Sequence, residues 1–410
     1  MKKTGKILMG TALILGSVGA FGMKNPSSIY ANADVLTEFV SRMSDTSEKN
    51  QKSALQTRAK AAYLMDFSGN TVMYSYKEQE RLPIASMCKI MTLLLSFDAI
   101  KEGNLTFDEE ICVSERAASM GGSQVFLEAN AKYSVKELIK SIVVCSANDS
   151  CVAMAERISG SESLFVDKMN EKAVEIGANN TLFSNCTGLP REPQYSCAKD
   201  VAIMLKNLLN HEEYFEFGKV WMDKFSHPEG RYTEITNTNK LVRFYDGCDG
   251  GKTGFTNEAG FCLAATAKRN DTRVISVVIG EENSANRFED VKTMFDYAFA
   301  NYKNTVLAEA GMELTETASV NGGKEKILPI SPARNVCVLE KRGEKAHITT
   351  KLYFHSVKAP VQKGDEVGEM LVFKDGIEID RVPLLAAESV ERAGFFDYLR
   401  NVAKAWNARG

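Results

Sequence analysis

The chain is 410 residues long, 44% hydrophobic and 25% charged, enough to bury a full core in about two or three domains. Its 50 basic and 53 acidic residues give a formal charge of −3, and nothing in that balance suggests a nucleic-acid binder, which carries a basic stripe. Nine cysteines, at 88, 112, 145, 151, 186, 197, 248, 262 and 337, form no C-x-x-C pair and are odd in number, so neither a zinc site nor a disulfide scaffold is indicated.

Residues 1–33 read as an export signal. Lys2, Lys3 and Lys6 make the basic start, residues 7–21 the apolar run, and Ala31-Asn32-Ala33 a small-residue cleavage site. Losing Lys2, Lys3, Lys6 and Lys24 takes the 50 basic residues to 46 against 53 acids, a net charge of −7. A buried N-terminal helix or an uncleaved anchor is the competing reading, although a membrane span needs about 20 apolar residues and this run is shorter. Residues 34–58 are polar and aperiodic and read as a solvated spacer.

The first folded domain is expected over 59–303. Residues 61–66 and 71–76 flank Ser68-Gly69-Asn70 in the pattern of a β-hairpin. Pro83 then precedes a helix starting near Ser86, with Ile90, Leu93, Leu94, Phe97 and Ile100 at helical spacing. Helices follow over 135–144, 149–158 and 163–176, Asp149 serving as the N-cap of the second. From Gly250 the character changes. The nearly continuous apolar runs 261–267 and 274–279 read as central strands covered on both faces, and Phe288, Val291, Phe295 and Phe299 mark a closing helix. The layout implies an α/β sandwich.

Past 304 the pattern is short alternating runs at 337–339, 348–354, 370–373 and 377–384, a small all-β domain over 304–388 with no cluster that suggests chemistry. Residues 389–410 form an amphipathic segment. Val390, Ala393, Phe395, Phe396, Leu399, Val402, Ala403 and Trp406 share one helical face, while Arg392, Arg400, Lys404 and Arg409 outnumber Glu391 and Asp397 on the other. Such a helix lies in a membrane surface or packs back onto the β domain.

Three short motifs stand in order: Ser86-Met87-Cys88-Lys89, Ser146-Ala147-Asn148 and Lys252-Thr253-Gly254. A lone S-x-x-K means little, since a helix lysine ordinarily snorkels to solvent. The trio together is the signature of penicillin-binding proteins and class A β-lactamases. In that pattern Ser86 is the nucleophile, and Lys89, one turn on along the same face, its base. The apolar stripe beside Lys89 predicts partial desolvation and a lowered pKa. Ser146 and Asn148 sit at a turn that an ordinary capping loop also explains; in the functional reading Ser146 relays a proton to the leaving amine and Asn148 holds the substrate backbone. Lys252 and Thr253 supply charge and a hydroxyl to a terminal carboxylate, on a strand that either accepts an extended substrate or is a solvated hairpin, and Gly254 leaves room for close approach. The backbone N–H groups of Ser86 and Phe255 form the oxyanion hole.

Beyond the motifs, the stretches 82–86, 183–185, 188–190, 195–196, 249–256, 358–364 and 367–368 resemble the low-molecular-weight penicillin-binding proteins that are D-alanyl-D-alanine carboxypeptidases, of Gram-positive type. The resemblance implies a β-lactamase/transpeptidase-like α/β domain, an antiparallel sheet with helices on both sides, followed by a small all-β domain and a C-terminal amphipathic membrane-anchor helix. It implies removal of the terminal D-alanine from peptidoglycan stem peptides through an acyl-enzyme at Ser86, inhibition by β-lactam antibiotics, no cofactor or metal, and a place on the outer face of the plasma membrane. Arg287 matches the arginine that helps bind the substrate carboxylate. Two departures stand out: Cys186-Thr187 where many members have Pro-His, and Gln194 where a histidine often precedes Tyr-Ser.

Three other readings compete. A class A β-lactamase needs a Glu-x-x-Leu-Asn loop, and none follows Asn148. A Ser-His-Asp hydrolase has to draw on His211, His227, His347 or His355 without a G-x-S-x-G elbow. A non-catalytic wall-binding or β-lactam-sensing module has no need of the full motif set. Carboxypeptidase and cross-link-cutting endopeptidase activities share one acyl-enzyme, so the motifs leave that choice open.

Overall fold

The computed structural model describes residues 55–344, 346–397 and 399. The expected signal 1–33 and nearly all of the spacer lie outside the described residues, as does most of the expected terminal helix. Strands β1 (Ala61–Asp66) and β2 (Val72–Tyr76) form the expected hairpin, with Asn70 at a positive φ of 55° in its turn. They join β3 (Cys248–Thr256), β4 (Gly260–Arg269) and β5 (Thr272–Glu281) in an antiparallel sheet of order β2-β1-β5-β4-β3.

The apolar runs of β4 and β5 are continuous because both faces are covered. Cys262, Ala264, Ile275, Val277 and Ile279 point into a core shared with helices α1 (Lys89–Lys101), α2 (Val135–Cys145), α3 (Asn148–Ser159), α4 (Glu162–Glu175) and α5 (Ala198–Leu208). Leu263, Ala265, Ala267, Val274 and Val278 face the other way, onto Val291, Met294, Phe295 and Ala298 of α6 (Ser284–Asn301). The sequence reading missed α5, whose Val201, Ala202, Met204, Leu205 and Leu208 do recur at helical spacing.

Two details differ from expectation. Ser86 stands in a 3₁₀ turn, Ala85–Cys88, that precedes α1, and that helix begins at Lys89. Asp149 is not an N-cap: Ala147 occupies that position of α3, and Asp149 is the second residue of its first turn with its carboxylate buried, accepting backbone N–H groups from a neighbouring loop. Besides the Ser150 N–H of its own helix, this buried carboxylate is held by donors from a segment more than 20 residues away, which local sequence does not reveal.

Strand β6 (Tyr302–Ala308) leaves α6 directly and carries the chain into the second domain. Asn304 ties the two domains: its Nδ2 donates to Asp66 Oδ1 at 2.7 Å, and its backbone N–H donates to Thr272 Oγ1 at 2.9 Å. The remaining strands are β7 (Thr317–Asn321), β8 (Ile327–Pro332), β9 (Val336–Lys341), β10 (Ile348–Phe354), β11 (Val357–Lys358), β12 (Glu366–Lys374) and β13 (Ile377–Ala386). β6 pairs with β9, and the others form a six-stranded sheet of order β10-β12-β13-β8-β7-β11. Leu328, Ile330, Val372, Val382 and Leu384 fill the core.

Val390 corrects the expected terminal helix. It is buried in this β core and bridges to Val361, while the N–H of Ala393 donates to the Gly322 carbonyl at 2.8 Å. Both residues therefore belong to the β domain. Past them Phe395, Phe396 and Leu399 are 75%, 80% and 56% exposed.

Candidate active site

Lys89 is completely buried, more than the apolar stripe alone predicts, because α1 is covered on nearly every side. Its Nζ lies 3.0 Å from Ser86 Oγ and donates to the Thr187 carbonyl at 2.6 Å. Burial holds its pKa below the ordinary lysine range, opposed weakly by the thiols of Cys151, Cys88, Cys186 and Cys145 around it.

The Thr187 carbonyl is aimed by Asn185. The Asn185 Oδ1 accepts the N–H groups of Thr187 (3.1 Å) and Gly188 (2.7 Å) and the Thr187 hydroxyl (3.1 Å), while Nδ2 donates to the Leu189 carbonyl at 2.8 Å. Gly188 has φ +80°, and a Cβ there would stand 2.0 Å from the Ala85 carbonyl oxygen, so the loop sits directly against the turn bearing Ser86. The departure at Cys186-Thr187 falls at this point. Lys89 meets the backbone carbonyl of this residue, while the Thr187 hydroxyl is tied to Asn185 and accepts the Leu189 N–H at 3.3 Å.

Ser146 ends α2 in the left-handed region at φ 66°, and its buried Oγ has no hydrogen-bond partner among the described residues. Such strain in a non-glycine residue is costly and clusters at functional sites. Asn148 donates Nδ2 to the Gly121 carbonyl at 2.7 Å, and its buried Oδ1 has no partner among the described residues.

Lys252 and Thr253 are buried on β3, the edge strand. Lys252 Nζ donates to the Thr253 carbonyl at 3.1 Å, and burial followed by the Lys89 charge pulls its pKa well below the ordinary range. Gly254 explains how the third motif reaches the first: a Cβ on it would meet the Ile84 carbonyl oxygen at 2.6 Å and Met87 N at 3.3 Å. The strand thus lies against the 84–87 turn, which brings the backbone at Phe255 alongside Ser86. The Phe255 ring is half-exposed and stacks on Phe261 at 4.3 Å. Arg287, at the start of α6, donates to the carbonyls of Gly254 (3.1 Å) and Cys262 (3.3 Å), and burial lowers its pKa to about 10.

The third motif and Arg287 thus lie against the turn bearing Ser86, and Asn148 lies against the 121–122 segment beside the Leu189 loop that flanks the same turn. The histidines stand elsewhere: His211 contacts Asp98 at 3.0 Å, and His227 contacts Tyr133 and Thr233. Sequence reasoning missed Thr187 as the partner of Lys89, Asn185 as the organiser of that loop, and the inward turn of Asp149; the only local signal for the second was Asn185-x-x-Gly188 ahead of Leu189-Pro190.

An antiparallel sheet clad by helices on both faces, with a buried lysine one turn from a serine and a KTG edge strand, defines the class of penicillin-binding serine enzymes. The family model for D-alanyl-D-alanine carboxypeptidases, peptidase S11, matches residues 47–283, and that for the penicillin-binding protein 5 C-terminal domain matches 302–392. D-alanyl-D-alanine carboxypeptidase DacF of Bacillus subtilis is 40% identical over 86% of this chain and 91% of its own length. DacA of Haemophilus influenzae is 30% identical over 84% and 88%. Among solved structures, penicillin binding protein 5 of Haemophilus influenzae superposes with a TM-score of 0.66 at 28% identity, covering 82% of this chain and 98% of that one. Penicillin-binding protein D2 of Listeria monocytogenes, in its ampicillin-bound form, gives 0.54 at 28% identity over 60% and 99%.

The chain belongs to the D-alanyl-D-alanine carboxypeptidase family, with the penicillin-binding protein fold of an α/β transpeptidase-like domain followed by a β domain. It is a serine D-Ala-D-Ala carboxypeptidase, a cell-wall-related hydrolase.

Proposed function

We propose that Ser86 attacks the carbonyl between the last two D-alanines of a peptidoglycan stem peptide and carries the acyl group. The observation that bears most of this reading is Lys89, buried and 3.0 Å from Ser86 Oγ. Burial favours its neutral amine, which has two N–H groups and one lone pair. One N–H goes to Thr187, and the lone pair takes the Ser86 proton as the Oγ–C bond forms. The oxyanion sits between the N–H groups of Ser86 and Phe255. Collapse breaks the C–N bond, and the leaving D-alanine takes a proton through Ser146. Water then hydrolyses the ester. Lys252, Thr253 and Arg287 hold the terminal carboxylate, which marks a chain end. Penicillins enter the same step and acylate Ser86; the ampicillin-bound Listeria relative supports this.

Mass spectrometry after penicillin treatment tests the nucleophile. One drug adduct is expected on the peptide containing Ser86 and none on Ser86→Ala; an adduct on that variant would sink the assignment.

Export by residues 1–33 and attachment to the outer face of the plasma membrane by the C-terminal segment belong to the same reading. Support comes from the basic–apolar–Ala-x-Ala order at the N-terminus and from the exposed Phe395, Phe396 and Leu399. Because Val390 and Ala393 are part of the β domain, the informative truncation falls after Gly394. It should move active enzyme from the membrane to the soluble fraction. Retention in the membrane would place the anchor elsewhere.

A further inference from the structure

Asp149 immediately follows the Ser146-Ala147-Asn148 corner and points into the core. Its carboxylate accepts the N–H of Val125 at both oxygens (3.3 and 3.1 Å), that of Leu127 at 3.1 Å and that of Ser150 at 2.9 Å. Between the first two donors stands Phe126, held at φ 64° with its ring in solvent. The segment 121–127 has neither helix nor strand. It meets Asn148 twice: the Gly121 carbonyl accepts Nδ2 and the Ser123 carbonyl accepts the backbone N–H, both at 2.7 Å. Arg231 adds a bond to the Phe126 carbonyl at 3.3 Å.

We propose that Asp149 is a positioning residue for the substrate-binding amide of Asn148. By clamping residues 125–127 it holds the Gly121 carbonyl in place and so orients the Asn148 carboxamide. A carbonyl only accepts, so Gly121 draws Nδ2 toward itself and leaves Oδ1 as the acceptor for a substrate N–H. Gly122 makes the arrangement intolerant of drift. A Cβ there would stand 2.8 Å from Asn148 Nδ2 and 3.8 Å from Leu189 Cδ2, so the segment is already packed against the amide. A carboxylate suits the clamp because it accepts from several N–H groups at once without donating to any of them. The inference rests on the assignment of Asn148 as a substrate-binding residue.

A double-mutant cycle tests it. Acylation by an N-acylated peptide ending in D-alanyl-D-alanine is measured for Asp149→Ala, Asp149→Asn, Asn148→Ala and the double variant Asp149→Ala/Asn148→Ala, with amide hydrogen exchange followed in parallel. Asp149→Ala should lose roughly a hundredfold in kcat/KM, mainly through kcat, since a misplacement of about 1 Å has that effect. Asp149→Asn keeps one acceptor oxygen and should recover about a tenfold share of the loss. In the Asn148→Ala background the same Asp149→Ala change should have almost no further effect, and faster exchange should be confined to 121–127. Equal losses in both backgrounds, or faster exchange throughout the helical face, would overturn the proposal and leave Asp149 as a fold-stabilising residue. Normal turnover by Asn148→Ala alone would instead overturn the assignment on which it rests.

Discussion

The catalytic domain and the β domain treat buried polar groups in opposite ways. The first buries Lys89, Lys252, Asp149, Asp66 and Glu281. In the second, from residue 305 on, Ser331 is the only buried polar residue among the described ones, and its charges pair at the surface, as Arg334 does with Asp380 and Arg381 with Glu369. Burying a charge is costly unless donors or partners surround it. The β domain avoids that cost. The catalytic domain accepts it, at Lys89 and Lys252 where the proposed chemistry calls for a neutral amine and a carboxylate recognised away from water.

The contrast can be broken at Lys89 first. Lys89→Arg keeps a cation that does not deprotonate at working pH, so acylation should fall by on the order of 10³-fold or more. Near-normal acylation would make Lys89 structural. In the unaltered enzyme the rate should rise with pH as the amine loses its proton and level off below the ordinary lysine value of about 10.4, because burial lowers the pKa. The sign for stability follows. Between the lowered folded value and the ordinary one, the unfolded chain binds the extra proton, so this group makes stability rise with pH across that window. A Lys89→Met variant should lose this slope in denaturation measured against pH.

A smaller effect is expected at Arg287. Removing its charge as Arg287→Gln should cost about 10- to 100-fold on peptides with a free terminal carboxylate, the scale of one or two charge-assisted bonds. Thioester analogues without that carboxylate should lose less. Equal losses would restrict Arg287 to bracing β3 against β4 through the Gly254 and Cys262 carbonyls.

The smallest effect on turnover is expected in the β domain. Leu384→Ala opens a cavity in a fully buried apolar core and should cost about 2–5 kcal/mol by chemical denaturation. Turnover of a small soluble peptide should stay unchanged. A matching loss of activity would show that the groove depends on the β domain through the Asn304–Asp66 link.

Local pattern made much of this molecule legible. The Ser68-Gly69-Asn70 turn between two apolar runs is a hairpin by its own chemistry, and the runs of β4 and β5 announce strands covered on both faces. At the candidate site the identities were legible, with Ser86, Lys89, Ser146, Asn148, Lys252 and Thr253 standing out as the motif trio, and the structure sets Lys89 beside Ser86 and Gly254 against the 84–87 turn. What escaped was contact. Val390 continues a helical apolar period and yet belongs to the β core, since a period of apolar residues is the same whichever partner covers it.

The sequence by itself determined the family, the order of elements and the chemically competent residues, because periodicity, turn residues and motif spacing are local properties of the chain. Tertiary structure alone decided how deeply Lys89 is buried, which carbonyl it meets and where Asp149 points. Each depends on segments distant in sequence closing on one another: β1 against β5, Gly254 against the 84–87 turn, and the loop at Thr187 against the helix of Lys89. Desolvation is a sum over everything packed around a group, so it comes into being only when those segments meet.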